Sequence, residues 1–64
     1  MKVWLEPTRA PNGAFVFQAR ILDGYREGQL LRESDTENPM YHFSAVLFTS
    51  WLQNTGYEVM NPVE

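Results

Sequence analysis

His42, the only histidine in the chain, is the one side chain suited to general-base chemistry near neutral pH. Its possible nucleophilic partners are Ser34, Ser44 and Ser50. A nucleophilic site needs the hydroxyl within hydrogen-bond reach of the base. Ser44 is close in sequence, but residues i and i+2 of a helix point apart. We therefore expect His42 to lie on the polar face of the first turn of a helix, and the chain to be no enzyme.

Cofactor and metal chemistry finds little support in the sequence. The chain has no cysteine, which excludes disulfides and thiolate metal sites, and a single histidine cannot make a zinc site alone. The four glycines stand at turns and show no phosphate-loop or dinucleotide spacing. Sixty-four residues also leave little room for a sugar cleft between paired carboxylates. We expect neither a metal nor a cofactor.

Residue types that favour binding occur in the loop over residues 23–28. Tyr25 and Arg26 lie there between two glycines. Both types are enriched at the centres of protein interfaces, and loops carry function more often than their share of the chain. The simpler alternative is a solvated turn in which Tyr25 folds back on the sheet.

A second candidate is the acidic row formed by Glu33, Asp35 and Glu37. In an extended chain, alternate residues share a face and lie about 6.6 Å apart. Such a row could bind a basic partner or imitate nucleic-acid phosphates, although a mimic needs more than three carboxylates. Short charge runs are more often solvated, here as the approach to a helix.

Trp4 is the third candidate, because the strand period places it on the face opposite Val3 and Leu5. An exposed tryptophan would form a small apolar patch there. The alternative is that loops or the chain terminus partly cover this second face of the sheet.

Alternation and turn residues predict a single α+β domain over residues 1–64, in the order β-β-β-α-β. Three strands form an antiparallel meander, one helix packs on it, and a short final strand lies parallel to the third. The predicted elements are strands over 2–8, 14–22 and 29–34, a helix from about Asn38 to Thr55, and a strand over 57–61. The second strand has a predicted core face of Phe15, Phe17, Ala19 and Ile21.

The predicted helix carries no charged side chain, whereas exposed helix positions are usually filled with Glu, Lys, Gln or Arg. The helical period predicts a core stripe of Met40, Phe43, Ser44, Leu47 and Trp51, with Phe48 at its margin. Tyr41, Ala45 and Leu52 then form an apolar flank that one layer of sheet leaves uncovered. We expect this flank to bind another protein or a second copy of the chain. A monomer with a weakly polar helix surface is the alternative.

The net charge of -3 disfavours attraction to nucleic acid or anionic lipid and favours a basic or neutral protein partner. The sequence has no apolar run long enough to span a membrane, and we expect a cytoplasmic protein. The leading hypothesis is a non-catalytic protein-binding module, similar in size and class to phage and mobile-element proteins that inhibit host proteins by occlusion. The alternative is a small dimeric regulator that presents arginines to nucleic acid, namely Arg9, Arg20, Arg26 and Arg32.

Overall fold

A β-hairpin forms the first half of the fold, as the sequence predicts. In the computed structural model, which describes residues 1–33 and 38–63, β1 (Lys2–Arg9) pairs antiparallel with β2 (Phe15–Ile21). The connecting turn is held by hydrogen bonds from the Ala10 N–H to the Ala14 carbonyl at 2.9 Å and from the Gly13 N–H to the Ala10 carbonyl at 2.8 Å. Gly13 has a φ of 88°, a conformation that favours glycine.

The third strand of the sheet is β3 (Glu58–Val59), which pairs parallel with β1 and gives the strand order β2-β1-β3. The prediction that this strand lies beside a third meander strand is therefore wrong. Asn61 continues the pairing with its side chain. Its Oδ1 accepts a hydrogen bond from the Leu5 N–H at 2.8 Å, and its Nδ2 donates to the Leu5 carbonyl at 2.9 Å.

The predicted strand over 29–34 is replaced by isolated bridges along the outer edge of β2. The Ile21 and Leu31 N–H groups donate to the Gln29 and Ala19 carbonyls, both at 2.8 Å. Further along the same edge, Phe17 and His42 exchange two backbone hydrogen bonds, at 2.8 and 3.0 Å. The edge is therefore closed by two separate segments, and the predicted antiparallel meander is absent from the described residues. The α+β class is confirmed.

The helix α1 (Ala45–Asn54) is shorter than predicted, because the segment before it is extended along β2. Its N-cap is Ser44, not Asn38, and the Ser44 Oγ accepts from the Leu47 N–H at 3.2 Å. The predicted end near Thr55 is confirmed: α1 ends at Asn54, Gly56 just past it has a φ of 103°, and the Tyr57 N–H donates to the Leu52 carbonyl at 2.9 Å.

The buried face of α1 differs from the predicted one by one residue, which is a rotation of about 100°. Phe48, Thr49 and Leu52 are buried, whereas Leu47 and Trp51 are 61% and 43% exposed. The predicted stripe is therefore wrong at Leu47, Trp51 and Phe43, of which Phe43 is 77% exposed. Met40, also assigned to the stripe, packs against the core. The core lies between α1 and one face of the sheet and consists of Val3, Leu5, Ala19, Leu31, Phe48, Leu52 and Val59, with Phe17, Met40 and Tyr57 packed against it.

The predicted core face of β2 is confirmed at Ala19 and Ile21, which are buried, but not at Phe15. Phe15 is 73% exposed at the first position of the strand, where the Arg9 guanidinium lies 4.3 Å from its ring centroid. This cation–π contact keeps an exposed aromatic ring partly shielded from water.

The rotation of α1 predicts that alanine substitution affects stability very differently at the two leucines of the helix, Leu47 and Leu52. Leu52→Ala should lower the free energy of unfolding by roughly 2–5 kcal/mol, because it leaves a cavity in the core. Leu47→Ala should change it by about 0.5 kcal/mol or less, because the side chain is exposed. Urea unfolding followed by circular dichroism measures both. A larger loss for Leu47→Ala than for Leu52→Ala would show that the helix packs as the sequence pattern indicates.

The bridging role of Asn61 predicts a difference between two Asn→Asp substitutions. Asn61→Asp should lower the unfolding free energy by about 1–3 kcal/mol, because it loses the Nδ2 donor and sets a carboxylate oxygen against the Leu5 carbonyl. Asn12→Asp is the matched control. Asn12 uses only its Oδ1, as the acceptor for the Ala14 N–H at 3.0 Å, and aspartate keeps that acceptor. Equal losses at the two positions in urea unfolding would contradict the assigned role.

Candidate functional site

The sheet face opposite α1 presents Trp4, as the alternation in the sequence predicts. Trp4 pairs with Arg20 across the two strands and is 46% exposed. Leu22 lies on the same face next to Lys2, since its N–H donates to the Lys2 carbonyl at 2.9 Å. Met60 follows the buried Val59, so alternation places it on this face beside Trp4. Trp4, Leu22 and Met60, all partly exposed, are together called the tryptophan face below.

A charged network borders the tryptophan face on the side of β2. The Glu6 carboxylate accepts hydrogen bonds from the Arg20 Nε and Nη2, both at 3.0 Å, and from the Gln18 Nε2 at 2.9 Å. The Arg20 Nη1 donates to the Gly28 carbonyl at 2.7 Å. The hydrogen bonds from Arg20 and Gln18 hold the pKa of the Glu6 carboxyl below its usual value of 4.5, against the smaller opposing effect of burial. Glu6 is therefore a fixed anion at neutral pH.

The loop over residues 23–28 starts directly after Leu22, at the same end of the sheet. Its ends are fixed, because the Asp23 Oδ1 accepts from the Lys2 N–H at 3.0 Å and the Gly28 N–H donates to the Ile21 carbonyl at 2.8 Å. Tyr25 is 88% exposed, and the Arg26 guanidinium lies 5.5 Å from its ring centroid. The alternative in which Tyr25 folds back on the sheet is wrong. Tyr25 and Arg26 stand as an exposed pair beside the tryptophan face.

The remaining predicted contact residues are placed less favourably for binding. Glu33 is exposed, but Asp35 and Glu37 lie outside the described residues, so the acidic row stays a prediction. Tyr41 and Ala45 are half-buried, and Leu52 has no exposed surface because it lies in the core. The prediction that these three form an exposed apolar flank is therefore wrong.

The exposed apolar side of α1 includes Leu47 and Trp51, which the sequence pattern assigned to the core. It carries Val46, Leu47 and Trp51 at partly or largely exposed positions, with the exposed Ser50 among them. Serine is as good an N-cap as asparagine, so the residue type at Ser44 is compatible with a helix start there. The apolar pattern of α1 does not mark Phe48 and Leu52, in preference to Leu47 and Trp51, as its buried side.

His42 has a packing role in place of the predicted position on the first helical turn. Its ring stacks on Phe48, with centroids 5.6 Å apart and an interplanar angle of 12°, and its Nδ1 accepts a hydrogen bond from the Ser44 N–H at 3.1 Å. The Ser44 Oγ accepts from the Leu47 N–H, as part of the helix cap. The side chains of His42 and Ser44 therefore each accept a backbone hydrogen bond at the start of α1.

The arginines of the alternative hypothesis are spread along the hairpin. Arg9 stands at the end of β1 next to the hairpin turn, and Arg26 lies in the loop that follows the other end of β2. Seven residues of strand separate these two ends by roughly 20 Å. Arg20 is bound to Glu6 in a pair that is only partly exposed, and the Arg32 Nη2 lies 3.5 Å from the Gln29 Oε1.

The part of the chain that the structure describes contains no pocket and no group of three potential metal ligands. Over the same residues, no helix is both long and apolar enough to cross a membrane. Two partly apolar surfaces stand out, the tryptophan face and the outer side of α1.

The lowered pKa of Glu6 predicts a pH dependence of stability. Its charged form is stabilised in the fold, so this contribution is present above the usual value of 4.5 and is lost as pH falls through the lower folded value. The melting-temperature difference between the wild type and Glu6→Gln should therefore shrink as pH falls below 4.5. The effect should be modest, because the pair is partly exposed and screened by water. Glu27→Gln, in the exposed loop, removes the same charge without touching Arg20, and should show no such convergence.

Comparison of the chain with protein-family models, with curated proteins and with solved structures finds no match.

Proposed function

We propose that the chain is a non-catalytic protein-binding module that docks through the tryptophan face and blocks the surface that it covers. The observation that supports this most is Trp4, which lies almost half exposed on a sheet face whose strands are fixed on both sides by hydrogen-bonded neighbours. The backbone of Trp4 is held in a strand that is paired on both sides, so little backbone entropy is lost on binding. Tryptophan is among the residue types that most often dominate binding energy at the centre of an interface.

The surroundings of Trp4 have the composition of a typical interface. Leu22 and Met60 extend the apolar centre, and charged groups lie around it. An apolar centre with a polar rim is the usual arrangement in specific complexes. The exposed Tyr25–Arg26 pair enlarges the surface on one side, at the end of the sheet where Leu22 lies.

The charges around this surface favour a neutral or basic protein partner. The rim contains three carboxylates, Glu6, Asp23 and Glu58, and the basic groups Lys2, Arg20 and Arg26 match them in number. The chain as a whole carries a net charge of -3. The surface itself is therefore nearly neutral, while the net charge of the chain attracts a basic partner and repels nucleic acid. The separation of Arg9 from Arg26 gives a phosphate backbone no continuous basic track.

Substitution of Trp4 tests the proposal directly. Trp4→Ala should weaken partner binding by roughly 30-fold or more, because a central aromatic anchor contributes at least about 2 kcal/mol. The partner is first captured from cell lysate with the wild-type chain and identified by mass spectrometry. Its affinity for wild type and variant is then measured by calorimetry.

Phe15→Ala is the matched control, since Phe15 is also an exposed aromatic but lies on the other side of the sheet at its far end. It should leave the affinity unchanged. Loss of binding in Phe15→Ala with full binding in Trp4→Ala would move the contact surface elsewhere. Tight binding to DNA or RNA that weakens steeply with salt would overturn the protein-partner proposal in favour of the nucleic-acid regulator.

A further inference from the structure

The outer side of α1 lies on the opposite side of the sheet from the tryptophan face, so the proposed partner would leave it exposed. Val46 and Leu47 occupy the first half of the helix, and Trp51 follows Leu47 one turn later. All three are at least 43% exposed, although the helix has a full apolar face already packed in the core. The outer side of α1 is hereafter called the outer helix face.

The outer helix face belongs to a segment without formal charge. All thirteen Asp, Glu, Lys and Arg residues lie in 1–37 and 58–64, and the twenty residues from Asn38 to Tyr57 contain none. A foreign partner of either sign would therefore find no charged side chain on the helix itself. Two copies of an acidic chain repel each other through most of their surfaces, but not through this one.

We infer that the outer helix face is an interface between two copies of this chain. A twofold contact requires a surface that is complementary to itself, and a neutral apolar surface satisfies this without matched charges. Ser50 lies near the midpoint of α1, so it is placed where two antiparallel helices cross. Its small side chain lets the helices approach, while Leu47 and Trp51 pack to either side.

The exposed area of the outer helix face is the size expected for the interface of a weak dimer. Val46, Leu47 and Trp51 together with the exposed Ser50, Gln53 and Asn54 offer roughly 500 Å² per copy. This is about a tenth of the accessible surface of 4391 Å², the share that standard interfaces take from small proteins. Because the area is at the low end for specific complexes, we expect a dissociation constant of roughly 10–100 µM.

Such a dimer would present two tryptophan faces outward. The helices meet at the centre, and each sheet lies between its own helix and its own Trp4. A partner with repeated or paired sites would then bind with higher apparent affinity than one copy alone provides.

The experiment is sedimentation equilibrium over a concentration series. The wild type should shift from 7.5 kDa toward twice that mass as the concentration rises. Ser50→Glu and Ser50→Lys should each weaken self-association by about 10-fold or more, because two like charges would face each other at the crossing point. Glutamate and lysine favour helix more than serine does, so both variants should keep the fold, as circular dichroism can verify.

Mixing the Ser50→Glu and Ser50→Lys variants should restore the dimer, since opposite charges then meet across the interface. Tyr25→Glu, which adds a charge to the exposed loop at the far side, should self-associate as the wild type does. The inference would be overturned by a wild type that stays monomeric at several hundred µM, or by a dimer that the two Ser50 substitutions leave unchanged. Failure of the mixture to associate would also overturn it. None of these outcomes affects binding through Trp4, which the Trp4→Ala comparison tests separately.

Discussion

The pair of backbone hydrogen bonds between Phe17 and His42 determines much of the rest of the structure. Strand β2 has an outer edge whose N–H and carbonyl groups need partners, and leaving them unpaired and buried would cost more than the hydrogen bonds themselves contribute. The chain meets this need with the segment around His42, which bends at Phe43 and is extended again at Ser44. The helix therefore begins at Ala45, and the stacking of His42 on Phe48 fixes which side of the helix turns inward.

The distribution of apolar side chains follows from that starting point. Once Phe48 and Leu52 enter the core, Leu47 and Trp51 are carried to the outside by the helical period. The second face of the sheet is exposed for a different reason: α1 packs on the face of Val3, so Trp4 points away from it. A thin domain with a single layer of sheet and one helix cannot cover both outer surfaces. The two exposed apolar surfaces are thus consequences of one architecture.

Local signals predicted part of this fold correctly. Alternation identified β1, β2 and the outward position of Trp4, and glycines marked the hairpin turn and the end of α1. The errors arose where long-range pairing outweighed local preference. Asn38-Pro39 is a good helix start by itself, but that segment bridges Arg32 instead. The buried side of α1 was ambiguous because apolar residues occupy both sides, and Thr49, which looks like a surface residue, is buried with its Oγ1 accepting from the Val63 N–H at 3.2 Å. The pairing of β3 with β1 is extended by the side chain of Asn61, a contact that has no sequence signature.

The small core of this short chain bears on the roles of both exposed surfaces, the outer helix face and the tryptophan face. Sixty-four residues bury a small core, with neither disulfide nor charged helix pairs to add to it. The apolar area of the outer helix face contributes nothing to the stability of a monomer. When a second copy covers it, association stabilises the fold, and the effect increases with protein concentration. The hairpin, by contrast, has the Glu6–Arg20 contact between its strands, and Asn61 binds the backbone of Leu5, so the strand that carries Trp4 is held by contacts within the chain. Covering the outer helix face would stabilise the fold, which suits a contact between two copies of the chain. The tryptophan face lies on strands that are already paired, which suits recognition of a different molecule. The different roles of the two surfaces agree with the charge pattern of the sequence. Its charged residues lie in the hairpin half, in residues 33–37 and at the C-terminus, and the helix has none.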